Sequence, residues 1–440
     1  MIPKVYRVSP RLCVRACQTE KLKAGMISLS VVLPIDRAST YMTSLLLSVL
    51  HRGTKRYPSV AALNRRLDYL FGTEMSVRNY YRGDCHVVGL AADLLGSEYL
   101  PQGQGERLME DVLEVMRDIL FDPLLDEHGL LRSHYVESEK NLQCDAIRAL
   151  KNSPRAYAIE HCFETLYQNE PCGVPIYGTE EMISRVTAED LTAHWRRLID
   201  QIKIECFYVG SDEPLAVSDR VADVLLPMLR DDAKGRAVPP TEIVRSAEAV
   251  RQVSEELAVA QGQLVIGVRT GVSITDPDYY ACAVANDMLG ASPISKLFVN
   301  VREKHGLCYH CSSSYNSYKG VILITCGLQP QKRALAEREI LAQLESLAKG
   351  EFDPAELDAS KKSYENVYRQ LEDSPTALES YYLGRALMRI EESLDDCRRK
   401  FASVTREDVL RVAKRFSVDT VYFLNGTLPS DGEEAYDEES

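Results

Sequence analysis

The chain has 440 residues, 45% hydrophobic and 27% charged, with a formal net charge of −13 at pH 7. The length calls for more than one domain, most simply two of about 200 residues each, and the acidic balance argues against nucleic acid or an anionic membrane as the main partner. No run of about 18 apolar residues exists to form a transmembrane helix, and the opening MIPKVYRVSPRL lacks the apolar core of a signal peptide, so a cytoplasmic location is expected.

In chain order, GMISLSVVLP (25–34) reads as a buried strand, rich in β-branched and aliphatic residues. An apolar helix follows at about 38–51, carrying YMTSLLLSVLHRGT (41–54) and ending near Gly53. A second helix spans 58–71, with a Pro-Ser start, Leu63, Leu67 and Leu70 at helical spacing, and Gly72 as its stop. TEMSVRNYY and CHVVGLAAD are two strands joined by a turn at Arg82-Gly83-Asp84. Residues 106–120 show an amphipathic stripe at Leu108, Val112, Leu113, Val115, Met116 and Leu120, stopped by Pro123. A long helix is expected over 127–150, broken by Ser153-Pro154, and another over 155–168. Thr187 with Asp190 three residues on is near to a capping box, and its helix leads to the strand IKIECFYVG.

The second half repeats this plan. RVTAEDLTAHWRRLIDQIKIECFYVG (185–210) is echoed by SVTREDVLRVAKRFSVDTVYFLNG (403–426). QLVIGVRTG (263–271) answers GMISLSVVLP, YYACAVANDMLG (279–290) answers the apolar helix, and CYHCSSSYNSYKGVILITCGLQ answers the first hairpin. The expected fold is α+β: two tandem homologous α/β domains, each a largely antiparallel sheet covered by helices on one face. The expected boundaries are 1–211 for the first domain, 212–250 for a Pro- and charge-containing linker, 251–428 for the second domain, and 429–440 for an acidic disordered tail.

The twelve cysteines do not form a metal-binding pattern. Cys308 and Cys311 are formally a C-x-x-C, but regular strand alternation turns them to opposite faces, and no second C-x-x-C completes a knuckle. Reduced thiols in apolar company are expected. His51, His128, His134 and His161 each lack an H-x-x-E-H partner and read as surface or core residues.

Three blocks carry a family resemblance: LHRGTKRYPSVAALNRRLDYLFG (50–72), GVPIYGTEEMISRVTAEDL (173–191) and SKLFVNVREKHGLCYHCSSSY (295–315). In this order over a duplicated chain they resemble the insulinase/pitrilysin/mitochondrial-processing-peptidase family, the inverzincins that carry H-x-x-E-H, whose halves close as a clamshell. That chemistry needs two histidines on one helix face, a glutamate between them as general base, and a distant glutamate as third zinc ligand. Anchored on Gly53-Thr54, the resemblance places SLLLS (44–48) at the motif: Ser44 and Ser48 at the histidine positions, Leu47 at the catalytic glutamate. The distant ligand position, seven residues past Glu139, is Ala146, with Asp145 beside it.

The resemblance therefore implies a zinc-free, non-catalytic chain that does not hydrolyse peptides on its own. Arg302 and Tyr309 match the family's Arg and Tyr that reach substrate from the C-terminal domain and help stabilise the oxyanion. The implied function is a pseudo-peptidase subunit that pairs with a zinc-bearing homologue as a heterodimer and holds a peptide substrate, with Arg302 and Tyr309 acting in trans. Zinc is expected in the partner and no cofactor in this chain. The glycine-rich loop of the mitochondrial non-catalytic subunit is missing, since 289–298 reads LGASPISKLF. Bacterial pairs of one zinc-bearing and one zinc-free chain fit better. The alternatives are a scaffolding member of the fold, as in the core subunits of the respiratory bc1 complex, and a peptide-binding homodimer.

Overall fold

GMISLSVVLP forms the core of β3 (Ala24–Pro34), buried at every position from Gly25 to Leu33. A strand buried on alternating sides without interruption has both faces covered. In the computed structural model, which describes residues 2–101, 104–229 and 238–428, β3 lies near the middle of a six-stranded sheet. Its other members are β1 (Lys4–Ser9), β2 (Leu12–Gln18), β4 (Met75–Arg82), β5 (Cys85–Leu95) and β6 (Ile204–Gly210). The order is β1-β2-β6-β3-β5-β4. A second sheet of five strands is built from β7 (Arg251–Leu257), β8 (Gly262–Arg269), β9 (Cys308–Asn316), β10 (Val321–Leu328) and β11 (Ser417–Gly426), in the order β7-β11-β8-β10-β9.

The two orders coincide once β1 is set aside. In each sheet one pair is parallel, β2 with β6 and β7 with β11, and the remaining pairs are antiparallel. The repeat extends to helix ends. Thr187 and Asp190 close a full capping box on the helix Ala188–Gln201, and Thr405 and Asp408 do the same on Arg406–Ala413.

Helices cover the central strands on both faces, not one. On one face of β3, Ile27, Leu29 and Val31 join a large core with Leu45, Leu46, Leu47 and Val49 of the helix Thr40–Leu50. On the other face, Ser28 donates to Glu379 at 3.1 Å and Phe207 of β6 stacks on Tyr382. Both partners belong to the helix Pro375–Leu387, which starts on Ser374-Pro375 with Ser374 Oγ capping Ala377 N. The corresponding first-half helix, Pro154–Leu166, lies instead on the second sheet, where Tyr157, Ala158 and Cys162 pack with Val265, Leu323 and Tyr422. Proline at the first helical turn suits both starts.

The compact units are consequently not contiguous in sequence. One takes the chain up to Ile147, Val174–Pro240 and Arg369–Ser393; the other takes Arg148–Gly173, Thr241–Tyr368 and the chain from Leu394 onward. The segment expected as a linker, 212–250, includes a helix, Pro214–Leu225, that packs on β1 and β2. The helix expected over 127–150 begins only at Ser133. Asp126 Oδ1 accepts from His128 N and Leu130 N, both at 2.9 Å, and so holds that stretch in a turn. The acidic tail at 429–440 lies outside the described residues. Among the described residues no helix is long and apolar enough to cross a membrane.

Candidate functional site

The helix Thr40–Leu50 is apolar on most of its surface, and its inward side chains pack as core. Leu47, at the general-base position, is 4% exposed among those side chains. Ser48 Oγ donates to the carbonyl of Ser44, at 3.5 Å. Ser44 is 3% exposed, and its hydroxyl donates to Ile176 O at 2.8 Å. Ala146 and Asp145 are both exposed on the helix Ser133–Ala149. Glu139, on the same helix, is buried and pairs with Arg52.

These positions do not fit a zinc ion. Two hydroxyls and a leucine replace two imidazoles and a carboxylate, and the distant position offers a methyl group. The corner is tied down by a backbone strap. Tyr81 Oη, Ser44 Oγ and Gln143 Nε2 donate to the carbonyls of Val174, Ile176 and Tyr177, each at 2.8 Å. Gly178 lets the strap close: it sits at φ +69°, and a Cβ there would lie 2.7 Å from Cβ of Tyr41. Sequence reasoning missed the strap. Its one visible trace was Gln143, a helical turn past Glu139 on the same face.

Beside this helix lies a cleft of about 610 Å³ lined by Asp36, Thr43, His86, His194, Arg197 and Gln201 among others. His194 Nε2 is 2.9 Å from Thr43 Oγ1, and His86 Nε2 is 2.7 Å from Asn79 Oδ1. Burial lowers His86 to about 3, so its imidazole is neutral at physiological pH. His51, which caps the helix, is also lowered, by burial first, with the Glu139 carboxylate opposing and the Arg52 guanidinium assisting.

The second unit treats its matching segment differently. After the helix Tyr279–Asn286 the chain widens into π-helical turns at Asp287–Ala291 and Leu297–Lys304. His305 N bonds Asn300 O, five residues back, at 3.2 Å. Such turns are rare and concentrate at functional sites. Gly290 permits the close approach to β9, since a Cβ there would lie 2.7 Å from Ser313 N. The second π turn carries Arg302, which is exposed with its guanidinium 4.6 Å from the Phe298 ring centroid. Among the described residues Arg302 has no ion-pair partner.

Tyr309 sits on β9 at an irregularity. Gly327 pairs with His310 and Leu328 with Cys308, so Tyr309 is the extra residue of a β-bulge and is 51% exposed. The bulge overturns the expected placement of Cys308 and Cys311 on opposite faces. The extra residue restores Cys308 to the side of Cys311, and Cys326 is the direct cross-strand partner of Cys311. The three Sγ atoms lie within 4.8 Å of one another. Hydrogen bonds from Cys311, then Cys326, lower the Cys308 thiol to about 4, with burial opposing. Cys326 could have been found in the sequence by counting pairs outward from the hairpin turn. The bulge could not.

With this geometry described, comparison with known proteins places the chain. Residues 185–364 match the peptidase M16 inactive domain. A Bacillus subtilis (strain 168) protein described as "Probable inactive metalloprotease YmfF" is 27% identical over 422 residues, covering 94% of this chain and 96% of that protein. A second protein from the same strain, described as "Uncharacterized zinc protease YmxG", is 23% identical over 330 residues, covering 72% of this chain and 76% of that protein. A conserved protein from Enterococcus faecalis V583 shares the fold with a TM-score of 0.88 at 22% identity, covering 98% of this chain and 100% of that one. Over residues 185–364 this chain is thus similar to the peptidase M16 inactive domain, and over nearly all of its length to a relative described as a probable inactive metalloprotease.

Proposed function

We propose that this chain is the non-catalytic subunit of a two-chain peptidase, pairing with a zinc-bearing homologue and presenting Arg302 and Tyr309 to the backbone of a flexible peptide. The observation that carries the reading is the contrast between the two candidate sites. Ser44 and Leu47, at two of the helix positions of the motif, are packed, and Ser44 is tied to the strap, whereas Arg302 and Tyr309 are exposed on a π turn and a bulge. A guanidinium and a phenol are donors suited to a peptide carbonyl and to the oxyanion that forms from it. The two Bacillus subtilis relatives, one described as an inactive metalloprotease and one as a zinc protease, favour a division of labour of this kind.

In the proposed assembly this chain binds and orients substrate, and the metal chemistry belongs to the partner. The test is co-expression with a zinc-bearing M16 homologue from the same genome, followed by co-purification and a peptide-cleavage assay. Arg302→Ala and Tyr309→Phe should each lower turnover of the complex by roughly 10² if they serve an oxyanion. Separate elution of the two chains, with cleavage no faster than the homologue gives alone, would sink the proposal.

A further inference from the structure

The three cysteines gathered by the bulge have no part in that function, and they form the only such group of potential ligands among the described residues. Cys311 and Cys326 are buried, and Cys308 is half-buried, which gives the group a way in from solvent. We propose that Cys308, Cys311 and Cys326 form a trigonal thiolate site for a thiophilic d10 ion, with copper(I) as its natural occupant.

Three thiolates around one ion, with metal–sulfur bonds of about 2.3 Å, stand about 4 Å from one another. The sulfurs already lie within 4.8 Å, so only a small inward rotation of the side chains is required. No histidine, carboxylate or fourth cysteine belongs to the group among the described residues. His310, the one imidazole next to them in sequence, points to the other face, with its ring against Gly327. Structural zinc sites take four protein ligands, whereas soft sulfur ligands select copper(I), which is satisfied by three. The site is held by backbone: β9 and β10 fix two sulfurs across one rung of the ladder, and the bulge sets the third beside them. Any of the three sulfurs still protonated gives up its proton to solvent on binding.

The experiment uses the reduced full chain under anaerobic conditions, titrated with copper(I) against the chromophoric chelator bathocuproine disulfonate. One ion per chain is expected. Cys308→Ser, at the half-buried position, should weaken binding by more than about 100-fold, beyond the cost of losing an outer-shell partner. Cys326→Ser should do the same, while Cys144→Ser and Ser44→Ala should leave affinity unchanged. X-ray absorption should show three copper–sulfur bonds at about 2.3 Å, and circular dichroism checks that each variant is folded. Equal affinity of the wild type and Cys308→Ser would overturn the proposal. So would a Cys311–Cys326 disulfide that resists reduction and leaves the chain unable to take up copper. Failure of the subunit to pair with a homologue would touch neither result, so this inference stands or falls apart from the functional reading.

Discussion

The hairpin β4–β5 and its repeat β9–β10 come from the same plan and differ in their turns and, along the ladder, by one bulged residue. The first pairs without interruption from Met75 opposite Ala92 to Arg82 opposite Cys85. The second loses register at Tyr309. In the first unit Tyr81, near the end of β4, turns its hydroxyl onto the strap carbonyl of Val174 and helps seal the helix where a metal would sit. In the second, the bulge turns a tyrosine outward and gathers three sulfurs. A duplicated scaffold can thus retire one copy of a site into packing while the other gains exposed chemistry from a local break in the ladder.

The strongest way to break this comparison is to loosen the second hairpin. Its turn residue Lys319 reaches Glu170 at 2.8 Å, and Glu170 also pairs with Arg269 at 2.7 Å, all three in the interior. Glu170→Ala removes the carboxylate these buried cations share and should cost about 3–5 kcal/mol, read as a lower urea midpoint. A cost below about 1 kcal/mol would mean that water has access to the cluster.

Deleting Tyr309 makes the second hairpin regular like the first. Because Tyr309 is the extra residue, its removal leaves Cys308 on the side of Cys311. Copper(I) binding should survive, while turnover of the assembled peptidase falls by roughly 10², as for Tyr309→Phe. Loss of copper binding would show that the bulge places the sulfurs in a way the pairing alone does not.

On the sealed side, Ser44→Ala removes the donor to Ile176 O and should destabilise the chain by about 1–2 kcal/mol, with faster amide exchange across residues 174–178 as the local signature. An unchanged exchange pattern would assign the strap to Tyr81 and Gln143 alone.

The smallest effect is one of pH. His86 titrates near 3 in the folded chain against 6.5 when free of the fold, so between these values the unfolded state holds the extra proton. Stability is therefore full above about pH 6.5 and falls on acidification by up to about 1.4 kcal/mol per pH unit for this group. His86→Gln should flatten the wild-type slope by that amount between pH 6.5 and 5. Parallel curves would mean that the imidazole is protonated without unfolding.

Much of the fold was legible in the residues. The unbroken apolar run of β3 and the Thr-x-x-Asp signal at Thr187, echoed at Thr405, are local signals, and each formed the expected element. What failed was the assumption that consecutive elements stay together. Pro154–Leu166 and Pro375–Leu387 have sequences that do not say which sheet they will cover, because their apolar residues are generic and only a whole sheet supplies the matching surface.

The site divides in the same way. The absence of imidazoles at 44 and 48 and of a carboxylate at 47 and 146 is fixed by residue identity, and among the described residues no other group of histidines and carboxylates is gathered to replace them. The sealing of that corner was decided by tertiary structure, since a strap some 130 residues further along the chain had to arrive before Ser44 could find Ile176. The sulfur cluster was decided there too. A period of two is the default for any strand, and a bulge that shifts it by one residue is chosen by the fit between two strands rather than by either alone.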